Sequence, residues 1–181
     1  MIYSIDWLKE KFKNGEQIKY VFFWGHTGEG VGSFIFSQWF PSPFVVDGIT
    51  YKTCEHWMMA QKATLFQDKE IFNKIIQAKK PGEVKELGRQ IKNFDQSKWD
   101  ETKYEIVKKG NICKFQQNQI FEEYLLGTGD RVLVESSPVD TIWGVGLTKD
   151  ARSIEDPNQW RGQNLLGFAL MEVRDFLRNK N

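Results

Sequence analysis

The stretch NLLGFALMEVRDFLRN, residues 164–179, is the strongest constraint on how this chain can fold. Its spacing is helical, and at its start it is apolar nearly all the way round. Such a helix has no face to give to solvent and belongs in a core. The rest of the chain must supply what covers it. SIDWLKEKFK (4–13) reads as a short helix, and KEIFNKIIQAKK (69–80) as another, closed by Pro81-Gly82. GEVKELGRQI (82–91) reads as a short third and SKWDETKYEIVKKGNICKF (97–115) as a longer one. QNQIFEEYLLG (117–127) continues or restarts it until Gly127 stops it. Strand signals are fewer. IKYVFFWG (18–25) looks extended, and RVLVESS (131–137) alternates. SQWFPSPFVVDGITY (37–51), with two prolines and an Asp-Gly turn, predicts a loop and then a hairpin. PVDTIWGVGL (138–147) reads as a loop with a short extended piece. Strands and helices do not alternate regularly, which argues against a doubly wound parallel sheet. The expected class is α+β: one mostly helical, compact domain, 1–181, with a small β-sheet.

A chain of 181 residues is long enough for a core of this kind. It carries 25 Lys and Arg against 24 Asp and Glu. That balance argues against coating nucleic acid along many phosphates, but leaves room for a site that grips one nucleotide. No apolar run is long enough to span a bilayer, and the mixed, charged start MIYSIDWLKEKFKNGEQ does not read as a signal peptide. Cys54 and Cys113 lack pairing or metal spacing, as expected of reduced thiols in the cytoplasm. The 14 Phe, 7 Trp and 5 Tyr serve either a ring-built core or the stacking of a flat ligand such as a base.

YKTCEHWMMAQKA (51–63) carries the first chemical signal. Thr53 is a suitable N-cap for a helix here. Glu55 and Lys62 are then two turns apart on one face, roughly 10 Å along the axis, with Met59 between them. An apolar step between a carboxylate and an amine lets both point into one cleft. The first-turn position of Glu55 favours its charged form through the helix dipole. The plain alternative is a partly exposed face with solvated charges.

The glycine-rich GHTGEGVGS (25–33) follows a strand signal, but SFIFSQWF after it does not open a helix, so a dinucleotide fingerprint is rejected. It reads as a mobile loop, with a lid or a nest of amides as the sharper option. His26 and His56 have no metal-type spacing, and no GxSxG marks a serine nucleophile. No metal and no cofactor is expected. In ESSPVDTIWGVG (135–146), Asp140 lies three residues before Trp143 in a loop bounded by Pro and Gly. It can hold a ribose hydroxyl or activate water while the ring covers a base, or it can simply accept in an Asx-turn beside a packed Trp. Trp99, Trp24 and Trp39 are candidate stacking rings. Arg89, Lys103, Lys108 and Lys114 are candidate phosphate grips, each to be weighed against a solvated charge.

VFFWGH, SQWFPSPFVVDGITYKTCEHWMMAQKA, LGRQI, KFQQN, LVESSPVDTIWGVGL and WRGQNLLGFALMEVRDFL occur in this order. Together they resemble the NADAR, or YbiA-like, family from about Tyr20 to Leu177. The resemblance implies a compact helical domain with a small sheet. It implies an N-glycosidase, associated with phosphorylated ribosylamino-pyrimidine intermediates of the riboflavin pathway or with removal of ADP-ribose from guanine. It puts Glu55 first among catalytic candidates, followed by Lys62 and Asp140. The substrate-binding candidates are Trp99, Trp143, Trp24, Gly25, Trp39, Arg89, Lys108, Lys114 and Asn118. The partner is then a nucleotide or ADP-ribosyl small molecule, or one modified guanine in a nucleic acid, with no membrane. The alternatives are a silent reader of ADP-ribose or NAD-type nucleotides, and a structural protein with a ring-rich core.

Overall fold

The computed structural model of the chain describes residues 1–180. In chain order its elements are α1 (Ile5–Lys13), β1 (Tyr20–Phe23), β2 (Phe44–Val46), β3 (Ile49–Tyr51), α2 (Cys54–Leu65), α3 (Lys69–Gln77), α4 (Pro81–Arg89), α5 (Gln96–Gln116), α6 (Gln119–Leu126), β4 (Val132–Glu135) and α7 (Leu165–Lys180), with short 3-10 turns at Ser33–Phe36 and Pro157–Gln159. The class is α+β and mostly helical, as the sequence indicates. The chain divides into two compact units, one made of Met1–Ser37 and 120–180, the other of Gln38–Gln119.

In the first unit β1 pairs in parallel with β4, in register from Tyr20 opposite Val132 to Phe23 opposite Glu135. A parallel pair needs a long crossover, and here the chain runs through residues 38–119 before it returns. Helix α7 packs on β4. Every residue from 165 to 174 is buried, as expected of a helix apolar all round. A Cβ on Gly167 would overlap the Leu133 carbonyl oxygen, so glycine lets helix and strand approach closely. Ser4 caps α1, its Oγ accepting from the Trp7 amide at 3.1 Å.

In the second unit Asp47 and Gly48 take positive φ, 50° and 76°, as the tight turn of the β2–β3 hairpin requires. Helix α2 is the hub, with α3, α4 and α5 packed around it. Two glycines admit the neighbours. A Cβ on Gly88 of α4 would overlap the Met59 sulfur, and one on Gly110 of α5 would overlap the Trp57 ring. Trp57 Nε1 then donates to the Ile106 carbonyl oxygen at 2.8 Å, tying α2 to α5.

Two local expectations are corrected. Pro81 does not close the helix before it; α3 ends at Gln77, and Pro81 opens α4 at its first turn, where a missing N–H costs nothing. The loop 138–147 holds no extended piece, because its backbone groups are used in turns and in bonds to 161–166. The small β content is arranged, among the described residues, as two two-stranded ladders. The helix after 97–115 restarts: α5 ends at Gln116 and α6 begins at Gln119.

Candidate active site

Thr53 is extended and caps α2, its Oγ1 accepting from the His56 amide at 3.3 Å. The cap places Glu55 in the first turn, 3 % exposed, with its amide donating to the Gln38 carbonyl oxygen at 2.9 Å. The ring of His56 is spoken for. Nε2 faces the Ala78 carbonyl oxygen at 3.2 Å and must carry the proton, which leaves Nδ1 to accept from Thr53 Oγ1 at 2.8 Å. Burial holds the pKa of His56 below its ordinary value. It is a neutral tie between α2 and the end of α3.

Lys62, two turns beyond Glu55, is half-buried. Its Nζ donates to the Gly88 carbonyl oxygen at 3.0 Å. It lies 4.2 Å from the centroid of the Phe94 ring and 5.5 Å from that of Trp99. Burial lowers its pKa, and the charge of Glu55 acts in the opposite direction. The solvated face weighed from sequence is therefore not what forms. A buried carboxylate and a partly desolvated amine share α2, with buried Met59 between them. A desolvated amine is a better nucleophile at neutral pH than an exposed one, because more of it is unprotonated.

Of the stacking candidates, buried Trp99 joins Lys62. Trp39 is half-buried, with the Lys85 amine 5.9 Å from its ring. Trp24 is 60 % exposed, next to Gly25 at φ +79°. Arg89 is exposed and pairs with Glu86 at 2.5 Å, Lys103 pairs with Asp100, and Lys108 pairs with Glu105 at 2.7 Å. Lys114 is fully buried, its Nζ 5.3 Å from the centroid of the Phe115 ring and 5.9 Å from that of Phe40. Burial lowers its pKa, and Cys54 opposes that. Asn118 donates from Nδ2 to the Lys114 carbonyl oxygen at 2.7 Å, closing the end of α5.

Asp140 lies in the other unit. Its Oδ1 accepts from the amides of Ile142 at 2.9 Å and Trp143 at 2.7 Å, which is the Asx-turn geometry weighed from sequence. Among the described residues Oδ2 accepts nothing. The turn is stitched to the entry of α7: Gln163 donates to the Thr141 carbonyl at 3.0 Å, Asn164 to that of Gly144 at 3.1 Å, and Leu166 to that of half-buried Trp143 at 3.1 Å.

A model of the NADAR domain matches residues 22–178. The chain belongs to the NADAR domain family. It is 44% identical over 165 residues to N-glycosidase R617 of Acanthamoeba polyphaga mimivirus, covering 88% of this chain and 97% of that protein. It is 31% identical over 152 residues to N-glycosidase YbiA of Escherichia coli (strain K12), covering 83% and 84%. The NMR structure of the E. coli protein YbiA matches with a TM-score of 0.74 at 28% identity, covering 91% of this chain and 88% of that one.

Three residues that shape this NADAR domain were not singled out from sequence. Gly88, within LGRQI, brings α4 against Met59 and aims its own carbonyl at Lys62. Asn164, fully buried at φ 54°, accepts from the Glu135 amide at 3.0 Å and donates to the Leu133 carbonyl at 2.9 Å, pinning the end of β4. Asn111, fully buried on α5, reaches the start of α2. An Asn ahead of an apolar helix, and an Asn beside Val107, Gly110 and Phe115 on the buried side of α5, are the signals that were there to find.

Proposed function

We propose that this chain is an N-glycosidase that hydrolyses a ribosyl–base C–N bond. The observation that carries the reading is the pair on α2: a carboxylate removed from solvent in the first turn, and an amine two turns on that burial has made easier to deprotonate. The N-glycosidase names of its relatives support it. The substrate is a nucleotide-type small molecule, either ADP-ribosylated guanine, free or as one base of a nucleic acid, or a phosphorylated ribosylamino-pyrimidine. The family match runs through both units, and the reading treats them as one functional domain in a thiol-reducing, cytoplasmic setting.

Breaking the bond builds positive charge on the anomeric carbon, and an anion held nearby stabilises it. In the direct route Glu55 takes a proton from water, the water oxygen bonds to the anomeric carbon, and the C–N electron pair leaves with the base, which takes up a proton. In the covalent route Nζ of neutral Lys62 bonds to the anomeric carbon as the C–N electron pair leaves with the base; one amine proton goes to the base and the other to the ring oxygen as the sugar ring opens to an imine. Water then adds to the imine carbon and releases the amine. A flat face of the base is assigned to Trp99 of the unit that carries Glu55 or, alternatively, to Trp143 of the other unit, where Asp140 Oδ2 is assigned to a sugar hydroxyl. Trp24, Gly25, Trp39, Arg89, Lys108, Lys114 and Asn118 complete the assignment on the substrate side.

The test is mass-spectrometric. The protein is incubated separately with ADP-ribosylated guanosine and with the ribosylamino-pyrimidine phosphate. Released ADP-ribose, or released sugar phosphate, is the expected product and names the substrate. Release from neither, together with a ligand-induced rise in melting temperature, would favour a silent nucleotide reader instead.

A further inference from the structure

Glu55 is held by more than its own helix. Its amide donates to the carbonyl oxygen of Gln38, and the Gln38 side chain turns inward, 8 % exposed. There Nε2 of Gln38 donates to Oδ1 of Asn111 at 3.3 Å. The same Oδ1 takes the Cys54 thiol at 3.7 Å, and Nδ2 of Asn111 donates to the Val107 carbonyl oxygen at 2.9 Å.

The direction of this chain is fixed at one end. A backbone carbonyl only accepts, so Asn111 must offer Nδ2 to Val107 and its oxygen to the start of α2. Gln38 must then offer its amide nitrogen. Its own oxygen is left buried, accepting nothing among the described residues. A buried acceptor without a donor is unfavourable, and turning the Gln38 amide over would set two oxygens against each other. The relay runs from α5 through Gln38 and Cys54 into the first turn of α2, where Glu55 sits.

We propose that Gln38 and Asn111 are positioning residues for Glu55. The proposal rests on the N-glycosidase reading. A rigid, one-way relay of buried carboxamides sets where the first turn of α2 lies, and with it where the Glu55 carboxylate meets the anomeric carbon. A misplacement of about 1 Å is enough to slow such a step by roughly a hundredfold.

The test uses the full chain and whichever of the two compounds it turns over. Gln38→Met keeps the length of the side chain and the backbone carbonyl that takes the Glu55 amide, but cuts the relay. Asn111→Leu removes the relay at α5. Each variant is expected to lower kcat by about tenfold or more with KM changed less than about twofold. The double variant is expected to be no worse than the poorer single, since both cut one relay. Gln38→Glu, which can still donate to Asn111 when protonated, is expected to recover part of the loss.

A fall in kcat no larger than the fall in folded protein, or losses that multiply in the double variant, would overturn the proposal. If Asn111→Leu does not fold, hydrogen exchange at the Glu55 amide in Gln38→Met decides: faster exchange with lower kcat supports the relay, and unchanged exchange overturns it. Full activity in Gln38→Met and Asn111→Leu alongside an inactive Glu55→Gln removes the relay and leaves the enzyme reading standing. A wild-type chain inactive on both compounds removes both.

Discussion

The amine of Lys62 donates to the carbonyl oxygen of Gly88 at 3.0 Å, on a residue whose lack of a side chain leaves room for the sulfur of Met59. A Cβ there would overlap the sulfur of Met59, which is itself buried against α4. The packing of α4 on α2 and the acceptor of the Lys62 amine thus meet at one residue. Gly88→Ala should push α4 from α2 and cost about 1–3 kcal/mol of stability, as overpacking in a filled core does. Urea unfolding measures that loss. The same variant should expose Lys62, so its reaction with a small amine-directed reagent at neutral pH should slow as its pKa returns toward that of a solvated lysine. A stability loss with unchanged labelling would separate the two effects.

The covalent route makes a sharper demand on Lys62. Burial lowers its pKa, so the neutral amine becomes available at a lower pH than for an exposed lysine. With substrate and borohydride present, a reduced sugar adduct should appear on Lys62, and its yield should rise with pH. Lys62→Arg keeps the charge and cannot form the adduct. Turnover that persists in Lys62→Arg, without an adduct in the wild type, would leave the direct route alone.

Glu55→Gln keeps shape and volume at a position that is 3 % exposed, and its backbone bond to Gln38 is unaffected. The fold should survive. Turnover should fall by roughly a hundredfold or more, the scale of losing a positioned acid–base or charge-stabilising group. Substrate binding, followed by thermal shift, should persist. Turnover within a few-fold of wild type would take Glu55 out of the reaction.

What was legible in the sequence follows from what is local. Thr53 as cap, the 3.6-residue period of α2 and the Asp-Gly turn are decided by neighbours in the chain, and all three stand in the structure. Pro81 misled because proline marks either side of a boundary: it stops one helix and suits the first turn of the next. The burial of Glu55 and the parallel pairing of β1 with β4 could not be read locally. The first depends on Gln38 and on the residues packed around α2, and the second joins segments more than a hundred residues apart. The Asp140 Asx-turn was legible as one of two stated readings, and Oδ1 forms it with the amides of Ile142 and Trp143, which does not decide the role of Oδ2.

His56 gives the fold a dependence on acid. Its pKa is lowered from an ordinary 6.5, chiefly by burial. As pH falls below about 6.5, the unfolded chain takes up a proton there while the folded chain does not, so the unfolded state binds more protons and gains. Stability from this group is therefore full above that value and lost as pH drops from it toward the folded value. Urea midpoints measured between about pH 7.5 and pH 5.5 should decline, and His56→Gln should flatten that decline. An equal slope in wild type and variant would assign the dependence to other groups.

Asp140 separates its two oxygens by task, and one substitution can tell them apart. Oδ1 holds the amides of Ile142 and Trp143 and so shapes the turn, while Oδ2 carries no bond among the described residues. Asp140→Asn can keep its carbonyl oxygen on both amides and change only the other position, from an anionic acceptor to a donor. The turn should hold, and melting temperature should stay within a few degrees, since surface changes that preserve such bonds cost little. If Oδ2 receives a sugar hydroxyl, KM should rise several-fold, because an N–H₂ cannot accept. Asp140→Ala removes both oxygens and should lose stability as well as turnover, by the order of a lost cap, about 0.5–2 kcal/mol. Wild-type kinetics in Asp140→Asn with a destabilised Asp140→Ala would assign the residue to the turn alone.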